Sequence, residues 1–184
     1  MYPNPYGYYQ GYYPVRNNWW HPHGYYEPRN NMNWGYNNWQ TNESYEQIKD
    51  YGGQPYVVDI EKVTKQNNTF RTALWTGEHL QVTLMSIGVG EDIGLEIHPD
   101  IDQFIRVEEG QGITRMGDSE DNLDFEAYVQ DDFAIMIPAG KWHNLINTGK
   151  VPLKVYSIYA PPEHPFGTVH RTKAEAMAAE KDHS

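Results

Sequence analysis

The chain has 184 residues, no cysteine, a formal net charge of −11 and a pI near 5.0. The missing cysteine excludes disulfides, thiolate metal ligands and a cysteine nucleophile, and the acidity argues against nucleic acid as a partner, since phosphate binding needs clustered Lys and Arg. No segment approaches the ~20 apolar residues of a membrane span and the N-terminus lacks the basic start and apolar run of a secretory signal, so a protein made in the cytosol, with no membrane partner, is expected.

Residues 1–42 differ in composition from the rest. Tyr, Asn, Pro, Gly and Trp dominate, and Val15 is the only Leu-type or β-branched aliphatic residue there. Such a stretch cannot bury a packed core and is expected to be a disordered tail. Its charge is near neutral, Arg16 and Arg29 against Glu27, so the acidity lies in the remainder. Tyr and Trp interleaved with Asn and Gly make an adhesive composition, suited to self-association or binding an assembly. In composition the tail is similar to those of bacterial spore-coat proteins, which implies a spore-coat location as the alternative to a cytoplasmic one. His21 and His23 read as an adventitious pair in this stretch.

Residues 43–50 (ESYEQIKD) are expected to form a short helix stopped by Gly52 and Gly53. Extended runs follow at 57–60, 69–75 and 79–87. The last carries Leu80, Val82 and Leu84 on one face and Met85 and Ile87 on the other, which suggests sandwich packing or an oligomer contact. Further strands are expected at 103–109, 112–116, 123–129, 133–137, 142–147 and 153–159, the last ending at Pro161 and Pro162. The acidic 117–124 stretch is a hairpin tip, and Asp131 and Asp132 make a turn. Many short strands separated by Gly, Pro and Asp turns indicate an all-β barrel or double-sheet jelly roll over residues 43–170. In the terminal segment 171–184, Thr172 and Glu175 form a capping box ahead of AEAMAAEK, which predicts an outer helix over 172–181.

The chemistry concentrates in residues 90–110 and 138–147. Glu96 and His98 are two apart and share one face of a strand. Pro99 and Asp100 break that strand, so a hairpin can bring Gln103 back beside them, and His143 arrives on a separate strand after a Pro-Ala-Gly turn. Two imidazoles, one carboxylate and one amide oxygen are a set of metal ligands. This nitrogen and oxygen set disfavours copper and suits one divalent Zn, Fe, Mn or Ni ion.

This pattern resembles the cupin superfamily. Gly90, Glu96, His98, Gln103 and Gly110 fall on its first motif, G-x5-H-x-H-x4-E-x6-G. Asp132, Pro138, Gly140, His143 and Asn147 fall on the second, G-x5-P-x-G-x2-H-x3-N. Three residues depart from it. Glu96 stands for the first histidine, Gln103 for the glutamate, and Asp132 for a turn glycine, a mild change because Asp tolerates left-handed backbone. The resemblance implies a double-stranded β-helix (jelly-roll) barrel and a homodimer. It also implies a metal held by Glu96, His98, Gln103 and His143.

Residues 91–170 are similar to small bacterial cupins described as phosphomannose-isomerase-like. Phosphomannose isomerases hold zinc with Gln, Glu and two His, the same four ligand types, and a small group linked to pectin breakdown also has Gln at the position of Gln103. The resemblance implies an isomerase-like enzyme for a small-molecule sugar or sugar acid. The alternatives are a non-haem iron oxygenase built on Glu96, His98 and His143, and a structural spore-coat-type assembly protein using the tail as glue. No catalytic base is assigned. Lys141 is a candidate beside His143, and Arg106 belongs on the outer face. Trp75 and Trp142 read as packing residues, with Trp142 placed to wall the site. His164, His170 and Arg171, in the Pro-stiffened stretch 159–170, are candidates for a lid or anion contact.

Overall fold

The computed structural model describes residues 47–181. The tail over residues 1–42 and the first half of the expected 43–50 helix lie outside the described residues. In chain order the elements are α1 (Ile60–Gln66), β1 (Arg71–Thr76), β2 (Gln81–Ile87), β3 (Asp102–Glu109), β4 (Gln111–Gly117), β5 (Phe125–Gln130), β6 (Ala134–Ile137), β7 (Trp142–Asn147), β8 (Leu153–Ala160), β9 (Val169–His170) and α2 (Lys173–Lys181). The strands form two antiparallel sheets, one in the order β6-β3-β8-β2-β1-β9 and one in the order β5-β4-β7. This is the all-β double-sheet jelly roll expected from the strand spacing. Among the described residues no helix is long and apolar enough to cross a membrane.

Alternation along each strand divides the residues between two cores. On β2, Met85 and Ile87 face the barrel interior with Ile105, Val107, Leu145, Leu153 and Val155. Leu84 faces outward and packs with Val63 and Leu74. That outer layer is closed by the chain itself, through Ile48, Tyr51, Tyr56, Val58 and Ile60. The two-faced character of β2 therefore has an intramolecular cause, and needs no second subunit.

This layer corrects two expectations. Residues 47–50 form no helix. Tyr51 N–H donates to Leu74 O (2.9 Å) and Asp50 accepts from Gly52 N (2.9 Å) and Thr76 Oγ1 (2.6 Å), so the segment is held along the sheet. The helix forms later, at α1, where 57–60 read as extended. Asp59 caps it by accepting from Lys62 N–H (3.0 Å), and Glu61 pairs with Lys65 one turn on (2.5 Å). At seven residues it is too short for periodicity to reveal, but the Asp-x-Glu start was a legible signal.

Two turns behave as their residues require. Asp132 sits at φ +69°, the left-handed conformation its motif position demands. Gly110 sits at φ +94°, and a Cβ there would stand 3.0 Å from Pro152 O, so both backbone and space call for glycine. The capping box at the C-terminus also forms: Glu175 N–H donates to Thr172 Oγ1 (3.2 Å) and the Glu175 carboxylate accepts from Arg171 N–H (2.6 Å). α2 docks through Ala176, fully buried in the interior core, and through a Lys173–Asp92 ion pair of 2.7 Å.

Candidate metal centre

Residues 91–98 run beside β7 without forming a regular strand. Isolated bridges join Asp92 to Ile146 and Glu96 to His143, with Glu96 N–H donating to His143 O (3.0 Å) and His143 N–H to Glu96 O (2.9 Å). Gly140 N–H donates to His98 O (2.8 Å), which sets the Pro-Ala-Gly turn against His98. The segment thus extends the smaller sheet on the free side of β7. The expected hairpin partner, β3, lies in the other sheet. There Gln103 pairs with Tyr159 on β8 and Ile137 on β6. The second motif's Asn147 is a tie rather than a ligand: its amide donates to Ile87 O and Val151 O, each at 2.9 Å.

The ligand atoms of Glu96, His98 and His143 lie within 4.8 Å of one another. Glu96 Oε1 is 3.4 Å from His143 Nε2 and 3.6 Å from His98 Nε2, longer than a well-formed hydrogen bond. Glu96 Oε1, His98 Nε2, His143 Nε2 and Gln103 Oε1 are all buried without a hydrogen-bond partner. Buried polar atoms are normally satisfied, and each one left unmade costs ~1–3 kcal/mol. Ring and carboxylate atoms from three residues, gathered in one place without a well-formed hydrogen bond among them, fit a cation.

The far side of each imidazole is engaged. His143 Nδ1 faces Lys141 O at 2.9 Å, and His98 Nδ1 faces Glu163 Oε1 at 3.4 Å. Arg71, fully buried, places Nη2 3.8 Å from Glu96 Oε2. Burial alone would raise the Glu96 pKa, but His143, His98 and the Arg71 charge outweigh it and hold the carboxyl well below the usual carboxylate range. Burial disfavours the His98 cation, but Glu163 and Glu96 more than offset that and raise its pKa to about 9. A metal ligand must be deprotonated, so a proton on His98 Nε2 would leave before that nitrogen could hold an ion. Burial, with Arg71 nearby, drops His164 to about 3, and burial pushes the Tyr159 hydroxyl up.

Several expected roles change. Lys141 pairs with Asp118 at the hairpin tip, and it reaches the site only through its backbone carbonyl. Trp142 alternates with His143 and points to the opposite face, so it does not wall the site. Arg106 lies outside as expected, paired with Glu108 (3.0 Å) and Asp132 (2.5 Å). Of the 159–170 candidates, His164 packs edge-on against Tyr159 at 5.1 Å, while Arg171 is exposed and His170 pairs in β9 with Arg71. Glu163, which the sequence did not single out, reaches the site from the same stretch. Arg71 was also missed, although it is the only charge between Lys65 and Glu78. Tyr159, edge-on to His98 at 5.6 Å, gave no signal beyond its place at a strand end.

A family model for the Cupin domain matches residues 83–159, which contain Glu96, His98, Gln103 and His143. The uncharacterized protein YrkC of Bacillus subtilis (strain 168) is 70% identical over 133 residues, 72% of each chain. The crystal structure of BH2720 from Bacillus halodurans is 68% identical with a TM-score of 0.71, over 71% of this chain and 99% of that one. A Klebsiella pneumoniae protein described as having a double-stranded β-helix domain aligns at 16% identity with a TM-score of 0.50, over 65% of this chain and 100% of its own, a likeness of fold alone. Sheet topology, motif spacing and these matches agree: the chain belongs to the cupin superfamily.

Proposed function

We propose that this protein is a metal-dependent enzyme of the phosphomannose-isomerase-like cupin type, acting on a small sugar or sugar acid. The observation that carries the reading is the set of buried atoms Glu96 Oε1, His98 Nε2 and His143 Nε2, within 4.8 Å of one another and without a hydrogen-bond partner; Gln103 Oε1, also buried and partnerless, is assigned as the fourth ligand by its motif position. This set would hold one divalent Zn, Fe, Mn or Ni ion. When bound, such an ion supplies Lewis-acid polarisation of a carbonyl or hydroxyl oxygen. The chain's own contribution is a polar wall. Thr83 and Ser157 face each other across β2 and β8, both fully buried, with Tyr159 beyond them. Their hydroxyls have no hydrogen-bond partner among protein groups. Hydroxyls beside a buried guanidinium suit an oxygen-rich, anionic substrate better than an apolar one.

The grouping of Glu96, His98 and His143 alone supports a second reading, since two histidines and one carboxylate are the composition of non-haem iron oxygenase sites. A spore-coat or assembly role, with tail self-association, is a separate proposal on residues 1–42; deleting them should abolish localisation or self-association while leaving enzyme activity intact. A homodimer is proposed from the family resemblance and not from the tail. The metal reading is tested by elemental analysis of untagged protein beside a His98→Ala/His143→Ala variant. Near-stoichiometric metal lost in the variant is expected, with zinc or manganese favouring the isomerase and iron the oxygenase. No metal in either sample after reconstitution would sink both enzyme readings.

A further inference from the structure

We propose that Glu163 is the positioning residue for His98: its carboxylate accepts a hydrogen bond from Nδ1–H, which keeps the proton there, so that Nε2 presents its lone pair toward Glu96 and His143. This rests on the metal reading above. The two ring nitrogens of His98 face different groups. Nε2 lies 3.6 Å from Glu96 Oε1, and Nδ1 lies 3.4 Å from Glu163 Oε1. Imidazole can offer a lone pair on one nitrogen only if the other carries the proton, so whatever accepts at Nδ1 selects the ligating tautomer. His143 meets that need two residues away, from the Lys141 carbonyl just before its strand, at 2.9 Å. His98 lies outside any regular strand, and Glu163 supplies its acceptor from another part of the chain.

Glu163 belongs to the stretch that leaves β8 through the cis Ala160–Pro161 bond. That stretch is held next to Glu163 by Gln81, whose side chain is fully buried. The Gln81 amide donates to His164 O (2.8 Å) and accepts from His164 N–H (2.9 Å), a reciprocal pair that fixes the backbone one residue from Glu163. Farther on, Gly167 N–H donates to Asp50 Oδ2 at 2.9 Å. The carboxylate itself stays partly solvated, its side chain 32% exposed. Truncating it therefore leaves no void in the core. A distant loop thereby takes part in the metal centre without supplying a ligand.

The test uses the full chain and Zn2+ alone, with affinity read by competition against a chromophoric chelator and the His98 Nδ1–H signal read by 1H–15N spectroscopy of the zinc form. Glu163→Ala should weaken Zn2+ binding about 10–100-fold and lose the slowly exchanging Nδ1–H signal. Glu163→Gln, which keeps an acceptor oxygen, should retain the signal and fall between. The exposed control Glu78→Ala should match wild type, and metal-free Glu163→Ala should melt with wild type. Glu163→Ala that binds Zn2+ as tightly as wild type, or binds weakly with the Nδ1–H signal unmoved, would overturn the assignment and leave the metal reading standing. A wild-type chain that takes no Zn2+ overturns both.

Discussion

The inside of this barrel has two ends built from the same strands. Along β8 the buried inward residues run Leu153, Val155, Ser157, Tyr159; along β2 they run Gln81, Thr83, Met85, Ile87. The register sets Leu153 against Ile87 and Val155 against Met85 at one end, then Ser157 against Thr83 and Tyr159 against Gln81 at the other. β3 follows suit, with Val107 at the apolar end and Gln103 across from Tyr159. Burial is equal at the two ends, but its energetic meaning is opposite. At one end burial removes apolar area from water, a gain of roughly 25 cal/mol per Å2. At the other it strips water from polar atoms, which costs stability unless something replaces it. A fold keeps such an end for what it binds, because the same strands could have carried aliphatic residues throughout.

That contrast can be broken deliberately, beginning with the apolar end. Leu153→Ala should lose ~2–5 kcal/mol of stability by chemical denaturation, with metal stoichiometry intact in the folded fraction; a loss below ~1 kcal/mol would mean the site collapses freely.

Excess Zn2+ should sharpen the difference by acting on the polar end only. At one hundred times its dissociation constant it should stabilise the wild type by ~2.7 kcal/mol, while His98→Ala/His143→Ala shows no such shift. Equal shifts in thermal melts would place zinc elsewhere.

Thr83→Val replaces a buried, partnerless hydroxyl by a methyl of similar shape. It should be neutral or stabilising by up to ~1 kcal/mol, the reverse of a cavity mutation, and a clear destabilisation would show that Thr83 holds an ordered water.

The smallest effect lies at the rim, where Lys173 pairs with Asp92. Burial would raise the Asp92 pKa, but the Lys173 hydrogen bond and the Gly94 N–H outweigh it and hold it below the ordinary 3.8. A depressed folded pKa contributes stability that is present above the unfolded value and lost as pH falls through the folded one. Lys173→Met should thus cost ~0.3–1 kcal/mol at neutral pH, with the two stability curves converging in acid below the ordinary aspartate range. Curves that stay parallel would assign the cost to packing of α2 instead.

The cluster of Glu96, His98 and His143 was legible in the chain because its parts follow local rules. A spacing of two puts Glu96 and His98 on one face even where Gly94 interrupts the strand, and Pro-Ala-Gly delivers His143 through a tight turn. Arg71 and Tyr159 were not legible, because their role depends on which strands become neighbours. Glu163 depends on where a loop returns. α1 escaped because seven residues carry too little periodicity, and the 43–50 helix was over-read, at least over residues 47–50, because the Asp50 side chain and the Tyr51 backbone N–H bond to β1, contacts that no local propensity encodes.

By itself, then, the sequence determined the strand alternation, the turn positions at Asp132 and Gly110, and the grouping of Glu96 with His98 on one face, since each follows from bonds and sterics within a few residues. The tertiary structure alone decided that Glu96 and His98 lie beside His143 along β7, that their interior neighbours are Arg71 and Tyr159, and that Glu163 stands behind His98. Those are contacts across 25 to 65 positions of chain, and only the register of antiparallel pairs and the path of a loop bring them together.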